Sequence, residues 1–404
     1  MFLIAAILKL ADTYLLLAKD VADGDVMGRK SRAMTLEECY DLTMMLVRAF
    51  EHSNENGNDD NGDWYSVTHE WLDFIAHKYS LTNSSETQGQ IQIALLNTER
   101  HAYKLVNCQC TRQDQETDKL WQLRNKNLTL PARSEPCKSS WKPMCTQSLS
   151  PVSNFRLIYN AYCRGDDITH WKEVVHDSPR RGNVCRYNHH GDPRLFLSPI
   201  KEEQLHTDDP LVVLFHDIVT DKEIQVLTEL GSPLLKRASV GENGKKTYSE
   251  KRVGETEYLP NDLHSVPEVR HLRQRLAAAS ELEVDFVGAE NLRISSYATS
   301  GYFYMHHDSF GLRELHQDNR LATILVYFND VDGGETIFPL MNLKVEARKG
   351  TAVLFFNLKR SGEREAITAH GSCPIITGQK WIATQWIRRY GQEFKYLCGL
   401  DARN

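Results

Sequence analysis

The sequence predicts an α+β chain: a C-terminal double-stranded β-helix (jelly roll) preceded by an α-helical repeat-like domain. Two observations carry this. Between residue 35 and about residue 106, apolar side chains recur at helical spacing. From Leu292 onward, short apolar runs separated by turn residues follow one another, at about 292–304, 321–328, 335–339, 351–357, 373–377 and 380–388. That is the pattern of a mainly antiparallel double sheet.

The elements follow in order. Met1 to Leu8 is the longest apolar run, far short of the roughly 20 residues that a membrane span needs. It resembles a signal h-region, but no cation precedes it and no clear cleavage site follows; the rival reading is an amphipathic helix from Met1 to about Ala18. Thr35-Leu36-Glu37-Glu38 is a capping-box pattern. Leu36, Cys39, Leu42, Leu46 and Phe50 then mark one helical face. Glu51 to Asp63 reads as a polar loop. Trp71, Leu72, Ile75 and Tyr79 mark a second helix, and Ile91 to Val106 a third. Such helices suit an antiparallel array of repeat type. Trp64, Tyr65, Trp71 and Tyr79 either form its core or line a groove for an extended polyproline II chain, and the sequence weighs these two readings equally. Cys110 to Pro151 lacks sustained periodicity. Leu211 to His216 reads as a strand, Asp221 as the cap of a helix ending near Gly231, and Pro267 to Ala278 as a helix with proline at its start. Gly333-Gly334 supplies a turn that only glycine makes cheaply.

With 404 residues, 41% hydrophobic and 25% charged, the chain has room for two or three domains of ordinary composition. A net charge of -6 and the lack of a basic tract give no case for nucleic acid. Nine cysteines include no CxxC pair, which argues against a zinc knuckle or a thioredoxin-like motif. Sequons at Asn83-Ser84-Ser85 and Asn127-Leu128-Thr129 are compatible with a secretory route and a glycoprotein.

Chemistry concentrates near the C-terminus. Two histidines and one carboxylate on one face hold Fe(II) in non-haem oxygenases and leave positions open. A His-x-Asp pair on an extended segment puts both side chains on the same face. The chain has four such pairs, His190/Asp192, His206/Asp208, His306/Asp308 and His316/Asp318, and spacing does not choose among them. Context does, because only His306/Asp308 follows an extended, aromatic-rich run, Leu292 to Tyr304. His370 is the candidate for a third ligand. Lys380, ten residues further on past a turn at Thr377-Gly378, is placed to hold the far carboxylate of a 2-oxo diacid whose other end chelates the metal.

From about Asp209 to Cys398 the sequence resembles the catalytic domain of the collagen prolyl 4-hydroxylase alpha subunits, insect forms above all. RLATILVYFNDVDGGETIFP, KGTAVLFFNL and GQKWIATQWIRRYGQEF carry the resemblance, in order and at family-like separations. It implies His306, Asp308 and His370 as iron ligands and Lys380 as the 2-oxoglutarate anchor. It also brings Tyr297 and Arg388 toward the co-substrate. Arg388 stands where many family members have a histidine, eight residues after the lysine and on its face in an unbulged strand, an exchange expected to reshape 2-oxoglutarate handling. His316/Asp318 it places in a loop. The contexts Cys163-Arg164-Gly165 and Cys185-Arg186-Tyr187 imply a disulfide, as do Cys373 and Cys398.

The resemblance further implies a division into an N-terminal helix (1–30, a remnant of a dimerisation region or signal-like), a helical peptide-substrate-binding-like domain (31–110, MTLEECYDL being the local match), a linker and entry segment (111–205) and the dioxygenase domain (206–404). It implies a collagen-like, proline-rich peptide substrate, ascorbate to rescue over-oxidised iron, protein disulfide isomerase as beta subunit, and the endoplasmic reticulum lumen, with retention left to that partner. Two rivals stay open: the same chemistry on a non-collagen peptide, and a non-catalytic peptide-binding subunit.

Overall fold

A computed structural model describes residues 9–55, 62–80, 151–166, 184–206 and 209–397, with Ile91 and Ala94, less positions 12, 15, 27, 28, 31, 239, 243, 244, 248–250, 286 and 311–317. The chain divides into two compact units, Met1–Asn154 and Phe155–Asn404.

In the first unit, helices α1 (Ala18–Ala22), α2 (Leu36–Glu55) and α3 (Gly62–Ser80) are described. The expected N-terminal helix does not run through to Ala18, since Leu16 and Leu17 are non-helical. The capping box forms as read. The Thr35 amide donates to Glu38 at 2.7 Å, and the Glu38 amide donates to the Thr35 hydroxyl at 3.2 Å. The polar loop is shorter than expected, because helix continues to Glu55 and resumes at Gly62. Leu46 of α2 packs with Val67 and Trp71 of α3, and Val47 with Leu72 and Ile75. Trp71 is therefore core and lines no groove, only 1% exposed. The side chains of Trp64, Tyr65 and Tyr79, most of the third helix, the stretch from Cys110 to 150 and both sequons lie outside the described residues. Trp71→Ala removes the largest buried side chain of this core and should cost about 3–5 kcal/mol. Urea unfolding followed by tryptophan emission checks this, and a loss below 1 kcal/mol contradicts it.

The second unit begins on helix α4 (Pro151–Arg164), followed by strands β1 (Val184–Asn188), β2 (Ile200–His206) and β3 (Val212–His216). Helix α5 (Asp221–Gly231) follows, capped by Thr220 and not by Asp221: the Thr220 hydroxyl accepts from the Glu223 amide while Glu223 accepts from the Thr220 amide. Next come β4 (Lys236–Arg237), β5 (Arg252–Val253), β6 (Glu255–Tyr258) and α6 (Pro267–Ser280), which opens on proline as expected. The remaining strands that build the site are β7 (Arg293–Tyr297), β8 (Tyr302–His306), β9 (Arg320–Tyr327), β10 (Thr336–Phe338), β11 (Leu343–Val345), β12 (Ala352–Phe356), β13 (His370–Ser372) and β14 (Lys380–Arg388).

These strands form two antiparallel sheets. The larger is ordered β1-β2-β3-β12-β9-β14-β7-β6-β4, the smaller β11-β10-β13-β8-β5. The apolar runs of β9 and β12 are nearly unbroken because both faces of the large sheet are covered. Ile324, Val326, Leu354 and Ala383 pack on one face with Leu227 of α5 and Val269, Leu272 and Leu276 of α6. Their neighbours Tyr327, Val353, Phe355 and Ile382 turn to the other face and meet Phe338, Val345 and Ile375. The expected single run 292–304 is split at Ala298–Gly301, where Ser300 takes φ 64°. Its halves join different sheets, and that crossing carries the chain from the covered sheet to the small sheet where the candidate ligands lie.

The expected disulfides are corrected. Cys163 bonds Cys373, and Cys185 is free and exposed. Cys163 sits on the face of α4 that packs on the small sheet, whereas Cys185 lies on β1, an edge strand of the large one. Cys398 is outside the described residues.

Candidate metal and co-substrate site

Among the described residues, one group of side chains could hold a metal: His306, Asp308 and His370, whose ligand atoms all lie within 4.8 Å of one another. His306 is the last residue of β8, and Asp308 stands in the bend just beyond it, so the pair straddles the strand end. His370 opens β13 and pairs with His306 across the ladder. His306 Nε2 is 3.6 Å from Asp308 Oδ1, and His370 Nε2 is 3.8 Å from Asp308 Oδ2.

Both imidazoles are oriented the same way. Nδ1 of His306 lies 2.8 Å from the Tyr304 carbonyl, and Nδ1 of His370 lies 3.0 Å from that of Thr368. A proton on each Nδ1 leaves each Nε2 lone pair free for a metal. Burial, reinforced by His306, pushes His370 down to about 4, so it is neutral at physiological pH. Burial opposes the charge on Asp308. His370, His306 and Arg320 outweigh it and hold the carboxyl well below its usual range. Asp308 is also held from behind: the Asn357 amide donates to the Thr323 hydroxyl at 2.9 Å, which donates to Asp308 Oδ2 at 2.8 Å. Two imidazoles with Nε2 turned inward and one carboxylate on one side of the site fit Fe(II), with the opposite positions left to other ligands.

The other His-x-Asp pairs are engaged elsewhere. His190 pairs with Glu202 and Glu281, each at 3.0 Å, and Asp192 caps a short turn. His206 contacts the Pro210 carbonyl, and Asp208 lies outside the described residues, as does His316. The Asp318 carboxylate accepts from the Tyr390 amide.

Lys380 starts β14 directly opposite Tyr297 of β7. Its ammonium donates to the Gly334 carbonyl and, at 3.1 Å, to the hydroxyl of Ser372, two residues beyond His370. Gly334 has φ 69° and Gly333 φ 74°, and a Cβ on Gly333 would come within 2.5 Å of the Pro374 carbonyl, so this turn requires glycine as read. Lys380 is 1% exposed. Burial lowers its pKa to about 7, against the pull of Glu335. Its bonded partners are neutral oxygens, so the pocket suits an incoming carboxylate. Tyr297 and Tyr327 wall the pocket, the Lys380 ammonium lying 5.4 Å over the Tyr327 ring.

Arg388 stands apart from this set. Its Nε meets Glu290 at 3.0 Å and its Nη1 donates to the Asp318 carbonyl, at a point where the β9–β14 register shifts. Residues missed in the sequence complete the surroundings. Arg252 is 7% exposed, donates to the Tyr297 hydroxyl at 2.8 Å and lies 4.5 Å over Phe303, whose ring stacks on His306. Thr323, Asn357 and Ser372 complete the list. These are common residue types whose partners lie far off in sequence, and no local spacing marks them.

The model of the 2OG-Fe(II) oxygenase superfamily matches residues 292–388. Prolyl 4-hydroxylase subunit alpha-1 of Rattus norvegicus is 30% identical over 435 residues, covering 98% of this chain and 75% of that protein. Subunit alpha-3 of Homo sapiens is 36% identical over 220 residues, covering 53% and 40%. Among solved structures, the chain is similar to a viral collagen prolyl hydroxylase of Paramecium bursaria Chlorella virus-1 in its 2OG complex, at 24% identity and TM-score 0.36, covering 44% of this chain and 95% of that one. The chain belongs to the prolyl 4-hydroxylase alpha-subunit family, and is a 2-oxoglutarate- and Fe(II)-dependent proline dioxygenase.

Proposed function

We propose that this site hydroxylates C4 of proline in collagen-like X-Pro-Gly peptides, consuming 2-oxoglutarate and O2 and yielding 4-hydroxyproline, succinate and CO2. The observation that carries the reading is the pairing of a facial His306/Asp308/His370 set with a buried lysine anchored two residues from His370. Iron held there would supply, with the keto acid and O2, the oxidising chemistry that the reaction needs. The chain supplies binding and orientation. His306, Asp308 and His370 hold the metal, and Lys380 holds the far carboxylate of the keto acid. Tyr297, stiffened by Arg252, walls the pocket. Excluding water from the Lys380 pocket strengthens that ionic contact.

Family membership supports the finer assignments: a proline-rich peptide gripped by the helical N-terminal unit, ascorbate as the reductant, protein disulfide isomerase as partner, and the endoplasmic reticulum lumen. No described helix is long and apolar enough to cross a membrane. The non-catalytic reading loses ground because every metal donor is present and correctly oriented.

Succinate release measured with and without a (Pro-Pro-Gly) repeat peptide tests the proposal. Peptide-dependent succinate with 4-hydroxyproline in the product is expected. Succinate stimulated only by another peptide moves the substrate, and no turnover with Fe(II) bound returns the binding-subunit reading. Arg388 has its own test. Its charge is taken up by Glu290, so Arg388→His should change the KM for 2-oxoglutarate less than threefold. A tenfold change would place Arg388 at the co-substrate.

A further inference from the structure

We infer that Tyr159 is a positioning residue for 2-oxoglutarate, acting through Ser372 from a helix bolted to the metal-bearing strand. The inference rests on the reading of Lys380 as the co-substrate's anchor.

Tyr159 is fully buried, at 0% exposure, on helix α4. Its hydroxyl donates to the Ser372 carbonyl at 2.6 Å across a sequence separation of 213. One turn further along the same face, Cys163 is bonded to Cys373. The helix thus grips two consecutive residues of one segment, one by a hydrogen bond and one covalently. That segment begins at the metal-ligand candidate His370 and carries the hydroxyl that receives the Lys380 ammonium. The Tyr159 ring also meets Tyr304 edge-on at 4.8 Å, and the Tyr304 carbonyl orients His306. Gly371 lies close beneath the helix, since a Cβ there would stand 3.0 Å from the Phe303 carbonyl and 3.1 Å from the Tyr159 ring. Tyr162 adds a third tie, its hydroxyl donating to Asn342 Oδ1 at 3.1 Å.

The position of Ser372 decides the geometry of the anchor. Its hydroxyl accepts from Lys380 and donates, at 3.5 Å, to the Gly334 carbonyl that also receives the ammonium, so it helps fix where that ammonium lies. A shift of Ser372 by a fraction of an ångström lengthens its contact with the ammonium while leaving His306 and His370 on their own carbonyl tethers and Asp308 on the Thr323 hydroxyl. Loss of the Tyr159 hydroxyl should therefore weaken 2-oxoglutarate and spare iron.

The test is equilibrium titration of Fe(II)-loaded full chain with 2-oxoglutarate under anaerobic conditions, read by absorbance, alongside Fe(II) titration and steady-state KM and kcat. Tyr159→Phe should raise the 2-oxoglutarate Kd about three- to tenfold, the worth of one neutral hydrogen bond. Fe(II) affinity should stay within twofold and kcat at saturating co-substrate should be nearly unchanged. Combined with Ser372→Ala, the two losses should be less than multiplicative, since both act on one contact. A structural role alone would lower thermal stability without this split. If Tyr159→Phe does not fold, Cys163→Ser/Cys373→Ser frees the same helix and should give the same selective loss. A 2-oxoglutarate Kd within twofold of wild type in the folded variant overturns the inference, provided Lys380→Met loses affinity. If Lys380→Met also keeps it, the anchor reading beneath has failed.

Discussion

Asp308→Ala should eliminate turnover and lower Fe(II) affinity by more than about 100-fold. Asp308 is the single anionic donor of the set, 8% exposed and held ionised by its histidine neighbours and Arg320. Its removal leaves only two imidazoles, neither of them anionic, to hold a dication. Hydrogen-bond partners one layer out typically matter 10–100-fold in metal affinity, roughly the loss expected from Thr323→Ala, which removes the hydroxyl on Asp308 Oδ2. A ligand must cost at least as much as its support. Fe(II) titration of Asp308→Ala, Thr323→Ala and wild type should rank in that order of weakness. His306→Ala should lose iron and His316→Ala should keep it. The reverse outcome at His306 and His316 overturns the assignment of the triad.

The side chains that the structure brings together could be picked out in part because the context of His306/Asp308 and Lys380 is local, while His370 was only a candidate from elsewhere in the chain. An aromatic-rich extended run leads into His306/Asp308, and a glycine-marked turn precedes Lys380. The jelly roll was legible for a related reason: strands buried on both faces are mostly apolar, and AVLFF and, but for Thr323, LATILVY are so. What stayed hidden depends on tertiary placement. The break at Ala298–Gly301 lies within a run that alternates plausibly as one strand, and only Ser300 in the left-handed region reveals the turn. Cysteine contexts carry no distances, and four cysteines allow three pairings. The link made joins α4 to the residue just after β13, across 210 residues. Trp71 gave the same signal as a groove residue or a core residue, and its neighbours Leu46 and Val67 settle it as core. Arg388 shares a strand with Lys380, yet Glu290, from the start of the β7 segment, claims its charge.

Lys380→Met should raise the KM for 2-oxoglutarate roughly 10- to 100-fold and leave Fe(II) affinity unchanged. A charge-assisted contact is worth about 1.5–3 kcal/mol, and this one lies in a buried pocket where no solvent replaces it. Methionine keeps most of the side-chain volume, so the neighbouring Tyr297 and Tyr327 retain their packing. The lysine also sets a pH signature. Burial lowers the ammonium to about 7 before any carboxylate arrives. A bound carboxylate favours the charged form and lifts it again. Below pH 7 the free protein already carries the proton, and affinity should be flat. Above it, binding must take up a proton, so the 2-oxoglutarate Kd should climb toward tenfold per pH unit until the pKa of the complex is reached. Lys380→Met should abolish that slope along with the affinity. Isothermal titration in two buffers of different ionisation enthalpy at pH 8 would detect the proton uptake directly. A wild-type Kd that is flat from pH 6 to 9, or a Lys380→Met variant that keeps the wild-type slope, would show that another group anchors the co-substrate.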